Sequence, residues 1–588
     1  MHDRQCGHSG QRPRSNQMTV SNTTPQLINT TPPQVDEMPP PILLFVAHPL
    51  TGHLTPTLRV AAALASRLPP RSVFLLGPTS HQSRISSASA STSASGSGIT
   101  FLPLLGSANI DDLAYYSPTT NNPPCPNYWA QSWQQRGLVD FVNLWIDPLP
   151  DAWASVVAAL RHVSHVSHLS DLGEGEPLGL SSGGKETKTE RDREKETEKE
   201  TEAEGERDRK EREIVLISEA LFFGTLPLAY GAPLPQGIRP PRMVALSVTV
   251  PFIRSEDLPA FFVPNTSTTR KNGLSVSSEF LKGNLEVDVD VDVDVDVDVD
   301  VDVDVDAREK KKKENELTWQ QWEACTSGLQ ERLVSRLQEV GATKPFPGPF
   351  LSGQNYTCHE RILQLGVEGW FFPRRDWPEG FRFVGVLPPA EEPVGGWTNL
   401  PRWWEEVKTA RAVGKKVVVV AQGTVEVDPN DLIIPTISAM ASREHVLVVA
   451  ILGRKGAVLP REFSLPANAR ITDYLHYDAV LPYADAWVHN GGYGAVQHGI
   501  AHGVPMVVAG EGQDKTENAK RIAWSGVGLD LGRPSPATRD VRTAVDSVLD
   551  IERYKQRAQA LRRESEDLSC FRAIEREILA LLKSEPLN

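Results

Sequence analysis

Two stretches of the chain carry residue types at spacings that could do chemistry. From Ala486 a short apolar run gives way to Gly491-Gly492-Tyr493-Gly494, then to a helical segment ending near His502-Gly503, then to a second apolar run from Val504 to Ala509. A strand, glycine-rich turn, helix and strand in that order favour an anionic ligand. The glycines let backbone N–H groups close on phosphate, and the helix N-terminus behind them adds partial positive charge. Taken alone the glycines say little, because turns before helices are often glycine-rich for steric reasons. The other stretch, His48-Pro49-Leu50-Thr51-Gly52-His53, interrupts an apolar run just before a helix expected from about Pro56 to Leu68, with Thr55 as its N-cap. A histidine beside a helix N-terminus is disfavoured in its protonated form, which keeps a neutral base available near pH 7. His53 is the candidate base and His48 its neighbour; a histidine hydrogen-bonded within its own loop is the plain alternative.

The longer pattern from Ile471 to Leu531 is more specific. Asp473-Tyr474, Leu481-Pro482, the Asn490–Gly494 turn, Gly503-Val504-Pro505, Asp514-Lys515, Asn518 and Gly526-Val527-Gly528 follow one another in order. This resembles the nucleotide-sugar signature of family 1 glycosyltransferases, the UDP-glycosyltransferases of the GT-B fold. The resemblance implies an α/β chain of two Rossmann-like, doubly wound parallel-sheet domains facing a cleft. It also implies His53 as the catalytic base, in Gly52-His53-Leu54-Thr55-Pro56. In plant relatives an aspartate at the end of a later strand orients that histidine, and the matching residue here is Glu219, one methylene longer. Asp111 and Asp112 are the other candidates for that partner, unless they cap the following turn.

For the donor, the resemblance points to Gly423, Thr424, Tyr474, Asn490, Gly491, Gly492, Gly494, His498, Asp514 and Lys515. Tyr474 stands where relatives stack tryptophan on uracil, and a phenol ring can do the same over a smaller area. Asn490 replaces the histidine that contacts the diphosphate, so the backbone N–H groups of Gly491, Gly492 and Gly494 carry more of that task. Thr424 matches a hydroxyl residue that reaches the phosphates. His498 replaces the ribose-binding glutamate. Asp514 matches the residue that holds sugar hydroxyls, with Lys515 in place of the usual glutamine; a helix cap is the alternative for Asp514.

Length, composition and charge set the frame for these residues. At 588 residues the chain exceeds one ordinary core, so two domains and additional segments are expected. Removing the ten aspartates of the Val287–Asp306 tract from the net charge of −14 leaves −4, which offers no nucleic-acid surface. Five scattered cysteines lack metal-ligand spacing and read as reduced thiols. No run reaches the roughly 18 apolar residues of a membrane span, and no signal segment is legible. A cytoplasmic enzyme without an integral membrane segment is the expectation.

The elements that must position these groups alternate strand and helix in both halves. A polar tail over 1–40 is expected to be disordered. An acceptor-binding domain is expected over 41–387, with low-complexity inserts at about 83–98, 170–213 and 265–316. A linker follows over 388–411, then a nucleotide-sugar domain over 412–550. A C-terminal helix over 551–588 is expected to pack back on the first domain, as in relatives. The Val-Asp tract reads as a repeat expansion in a surface loop, since ten unshielded carboxylates on one strand face repel.

Function follows from the resemblance. It implies inverting transfer of a hexose from a UDP-sugar, glucose being the commonest, to a hydroxyl of a small lipophilic acceptor. The UDP-sugar is a co-substrate, and no cofactor and no divalent metal are called for, because helix dipole and polar groups absorb the leaving charge. The aromatic residues of 115–153 either line the acceptor pocket or form ordinary core. A catalytically inactive GT-B protein that binds a nucleotide sugar or a lipophilic ligand is the alternative, favoured by Asn490, His498 and the long inserts.

Overall fold

The computed structural model describes residues 40–91, 98–117, 124–125, 127–167, 212–261, 305–392, 396–423 and 428–585. Uninterrupted apolar runs such as Ile42–Val46 and Val417–Ala421 are buried along their whole length, as strands covered on both faces require. They assemble into two wholly parallel sheets.

The first sheet holds β1 (Ile42–Val46), β2 (Val73–Gly77), β3 (Ile99–Pro103), β4 (Ile214–Glu219), β5 (Arg242–Ser247), β6 (Arg361–Gln364) and β7 (Phe381–Phe383), in the order β3-β2-β1-β4-β5-β6-β7. The second holds β8 (Lys416–Ala421), β9 (Val446–Ile451), β10 (Ala469–Thr472), β11 (Ala486–His489), β12 (Met506–Val508) and β13 (Gly528–Asp530), in the order β10-β9-β8-β11-β12-β13. In each sheet the strand order reverses once, between β1 and β4 and between β8 and β11. Such a switch point opens a crevice at the carboxyl ends of the strands, where doubly wound folds bind ligands. Register brings Val46 beside Ser218 in one sheet and His489 beside Ala421 in the other. His53 and Glu219 therefore leave one switch point, and Asn490 and Gln422 the other.

The last helix, Cys570–Lys583, buries Cys570, Ala573, Ile574, Ile578 and Leu581 in the core of the first sheet with Leu43 and Phe45. The helical stretch from 551 is two helices, Glu552–Leu568 and Cys570–Lys583, broken at Ser569 (φ 56°).

Several local expectations change. The first helix begins at Thr51, not near Pro56, because the Asp112 carboxylate accepts the Thr51 N–H at 2.7 Å and supplies from another segment the cap that Leu50 lacks. Residues Gln82–Ser91 form a helix in place of the expected loop, anchored by buried Ile85 and by Arg84 donating to Thr55. Val305–Glu339 is one helix, so the insert expected to 316 ends earlier; Trp319 and Trp322 sink into the core and turn the charged residues before them outward. Within the expected linker, Trp404 and Val407 pack on the second sheet. Residues 1–39 of the tail expected over 1–40, residues 92–97, 168–211 and 262–304, with most of the Val-Asp tract, lie outside the described residues.

Candidate active site

His53 stands in the first turn of the Thr51–Ala65 helix, its N–H bonded to the Leu50 carbonyl at 2.9 Å. Its Nδ1 lies 3.1 Å from Oε2 of Glu219, the fully buried last residue of β4. The two atoms are close without being aligned as a straight hydrogen bond. The other carboxylate oxygen, Oε1, accepts the Leu221 N–H at 3.0 Å, which fixes the glutamate head. The extra methylene of glutamate is thus absorbed, and the contact survives.

Burial lowers the proton affinity of His53, but Glu219, followed by Asp514 and Asp112, outweighs it and raises the pKa above 6.5. The helix N-terminus is expected to disfavour the protonated ring; the neighbouring carboxylates instead favour it, against burial. Nδ1 facing a carboxylate carries the proton, which leaves Nε2 as the basic nitrogen. His48 has a different place. It is buried, stacks on Trp145 at 4.6 Å and pairs its Nε2 with the Leu144 carbonyl; burial first, then His53, pulls it down to about 3.

Asp111 caps the short Asp112–Tyr115 helix by accepting from Leu113 and Ala114. Asp112 caps the helix that carries His53 and also faces His81, 3.8 Å away. Neither takes the place of Glu219. In the aromatic region, Tyr115, Tyr116 and Tyr128 donate to one buried carboxylate, Asp140, whose pKa burial raises. Those three hydroxyls hold the segment together.

Across the cleft, the helix Tyr493–His502 begins at Gly492 with no side chain capping it. The Ala495 N–H is taken by the Gly492 carbonyl at 3.0 Å, and the Gly491 N–H, expected to serve the diphosphate, by His489 Nδ1 at 3.0 Å, which leaves the N–H groups of Gly492, Tyr493 and Gly494 for an anion. Gly491 has φ +85°, and a Cβ there would meet the Lys515 carbonyl at 3.0 Å; Asn518 Nδ2 donates to the Gly491 carbonyl at 2.7 Å. At Gly494 a Cβ would meet nothing within 4 Å, so the turn faces open space. The Asn490 amide does not reach toward that space with all its donors, since Nδ2 bonds the Gln422 carbonyl and ties β11 to the exit of β8.

Asp514 stands before the Lys515–Trp524 helix but makes no side-chain cap to it. Burial raises its pKa against the pull of Lys515, Asn518 and His53, so it lies within electrostatic reach of the imidazole. Lys515 is buried and bonds Gln513 through Nζ at 2.7 Å. Tyr474 is half exposed at the exit of β10, with Lys455 Nζ 6.0 Å from its ring. Gly423 (φ +82°) follows β8, and Thr424 lies outside the described residues. His498 does not stand alone: its Nδ1 meets Asp478 Oδ1 at 2.8 Å, and so does His502 Nε2.

Comparison with known proteins identifies the family and the fold. The family described as erythromycin biosynthesis protein CIII-like, C-terminal domain, matches residues 436–581. UDP-glucosyltransferase 1 of Beauveria bassiana (strain ARSEF 2860) is 34% identical over 377 residues, covering 62% of this chain and 71% of that one. UDP-glucosyltransferase A1 of Starmerella bombicola is 31% identical over 367 residues, covering 62% and 68%. The chain belongs to the UDP-glycosyltransferases. Its solved neighbours show the GT-B arrangement: the glycotransferase of kitacinnamycin superposes with a TM-score of 0.50 at 18% identity, over 92% of this chain and all of that one.

In this UDP-glycosyltransferase, three cleft residues escaped the sequence. Asp478 lies between Tyr474 and Leu481 in a stretch with no motif of its own, and only the i,i+4 spacing of His498 and His502 hints at a shared partner. Trp133 donates to Glu511 at 2.5 Å across more than 370 residues, a contact with no local signal. Tyr493, inside the glycine turn, is bonded to the Leu365 carbonyl and takes a bond from Gln364 at 2.8 Å, which fastens the turn to β6 of the other domain. Among the described residues, no helix is long and apolar enough to cross a membrane.

Proposed function

We propose that the protein transfers glucose from UDP-glucose, with inversion, to a hydroxyl of a small lipophilic acceptor. The observation that carries this reading is the 3.1 Å approach of His53 Nδ1 to Glu219 Oε2 in a cleft that Asp514 faces from the other side. His53 Nε2 takes the acceptor proton as the acceptor oxygen bonds to the anomeric carbon. The bond from that carbon to the diphosphate oxygen breaks, and UDP leaves with the electron pair. Glu219 balances the imidazolium that forms. A base rather than a nucleophile implies single displacement, so an α-linked donor gives a β-glycoside.

On the donor side, the uncapped N–H groups after Gly491 and Gly492 receive the diphosphate, Asp514 the sugar hydroxyls and Tyr474 the base. His498 turns its remaining nitrogen to the ribose. The departing charge is absorbed by the helix N-terminus, so this reading calls for neither a divalent cation at the diphosphate nor a cofactor. UDP-glucose is favoured because both relatives described above are named UDP-glucosyltransferases. The inactive-binder alternative is disfavoured by the intact base and carboxylate pair. Turnover with a panel of UDP-sugars and a promiscuous phenolic acceptor, with His53→Ala as control, tests the proposal. Activity with at least one donor and a β product support it; equal rates in the two proteins would remove His53 from the mechanism.

A further inference from the structure

Beneath the donor crevice lies a cluster that the transfer reaction does not need in full. Asp478 is the second residue of the short Tyr477–Val480 helix, with its side chain fully buried. His498 and His502 lie one turn apart on the Tyr493–His502 helix, so both imidazoles leave the same face. His498 Nδ1 and His502 Nε2 each stand 2.8 Å from Asp478 Oδ1, and the three ligand atoms all lie within 4.8 Å of one another. The other carboxylate oxygen, Oδ2, accepts the Ala390 N–H at 2.9 Å, which holds the head in place. His476 lies beside it, but its Nδ1 accepts the Asp478 N–H at 3.3 Å and is thereby engaged.

We propose that Asp478, His498 and His502 form a binding site for a divalent transition cation of the zinc class. Two imidazole nitrogens and one carboxylate oxygen, with a fourth position left for water, are a donor set suited to such an ion. Tetrahedral coordination at zinc-nitrogen distances sets ligand atoms about 3.3 Å apart, so each imidazole needs to draw back from the carboxylate oxygen by only about half an ångström. The Ala390 N–H supplies the outer bond that orients a ligating carboxylate. Arg59 is a nearby cation within electrostatic reach of Asp478, and its guanidinium donates to the Pro388 carbonyl. Hydrogen bonds alone also satisfy the three side chains, and the experiment must separate the two states.

Because His498 turns Nε2 to the ribose in the function proposed above, a cation on Nδ1 moves the ring proton to Nε2, which then donates to the ribose where it had accepted. Zinc then shifts KM for UDP-glucose, an effect that rests on that reading, whereas binding rests on the cluster alone.

The test is titration of the metal-free full chain with Zn²⁺ against a chromophoric chelator, for wild type, His502→Gln and His498→Gln. Thermal unfolding of each metal-free protein shows that it is folded. The expected result is one wild-type site that weakens by more than about tenfold in each variant. Cobalt should give the visible band of a four-coordinate ion only in wild type. Equal affinity and stoichiometry in all three proteins would mean that other histidines hold the metal, which overturns the site. Variant-sensitive binding that leaves KM for UDP-glucose unchanged overturns the link to the donor. A failure of the donor reading itself shows separately, as an unchanged KM in metal-free His498→Gln.

Discussion

Glu219 ends β4 and His53 follows β1, and because those strands are neighbours in register the two side chains meet at 3.1 Å although 166 positions apart. The first sheet reverses its strand order at that pair, so the contact sits where a doubly wound sheet opens. The same relation is repeated opposite, where Asn490 bonds the Gln422 carbonyl between β11 and β8. Each half of the cleft is thus built on its own switch point.

Replacing His53 by alanine should lower kcat/KM by about 10²–10⁴-fold, the usual worth of a positioned base. Loss of the ring also leaves the buried Glu219 carboxylate without its partner, so the thermal midpoint should fall, and rates are compared well below it. Steady-state kinetics alongside thermal unfolding decide the matter, and a loss of rate explained by unfolding would count against a catalytic role.

The pH profile has a definite sign. Glu219 raises the pKa of His53 above 6.5, so the acid limb of kcat/KM should lie above that value in wild type. In Glu219→Gln the limb should move to lower pH while kcat falls. The pair also links pH to stability. A raised histidine pKa contributes stability that is fully present below 6.5 and is lost as pH rises through the folded-state value. Melting curves across that window should show the loss in wild type and a weaker one in Glu219→Gln.

Asp112→Ala removes the cap of the helix that carries His53. It should cost on the order of 1 kcal/mol, as lost caps do. The folded-state pKa of Asp112 is lowered by His81 and Thr51 despite burial, so this stability is present above 3.8 and lost as pH falls through the folded value. Denaturant unfolding at neutral and acid pH checks both points: the gap between the two proteins should close in acid.

Two glycines make a paired test of the donor turn. Gly494→Ala puts a methyl group into open space, so the fold should hold while KM for the UDP-sugar rises by about tenfold, the equivalent of one charge-assisted hydrogen bond. Gly510→Ala places a Cβ 1.8 Å from the Asn490 carbonyl oxygen, and should destabilise by about 1–3 kcal/mol. If Gly494→Ala bound donor as wild type does, the open space at that turn would not be where the diphosphate rests.

Much of this was readable along the chain because the signals are local. A strand buried on both faces must be apolar throughout, so β1, β4, β8 and β11 were visible as runs. The glycine turn and His53 follow such runs directly, so their places came with the strands. The loop expected over 83–98 failed for the opposite reason: a Ser/Ala-rich segment states no periodicity, and its helix depends on Ile85 and Arg84 finding partners elsewhere.

What the amino-acid order determined was the alternation of strand and helix, the family pattern after Ile471 and the identity of each chemical group. What only the tertiary structure decided was which groups meet. The first turn around His53 is capped by Asp112 from 61 positions away, its proton affinity is set by Glu219, Asp514 and Asp112, and His498 is claimed by Asp478. Local propensity is a matter of neighbours in sequence, whereas charge–charge interaction and hydrogen bonding depend on distance in space, which strand order and domain packing alone establish.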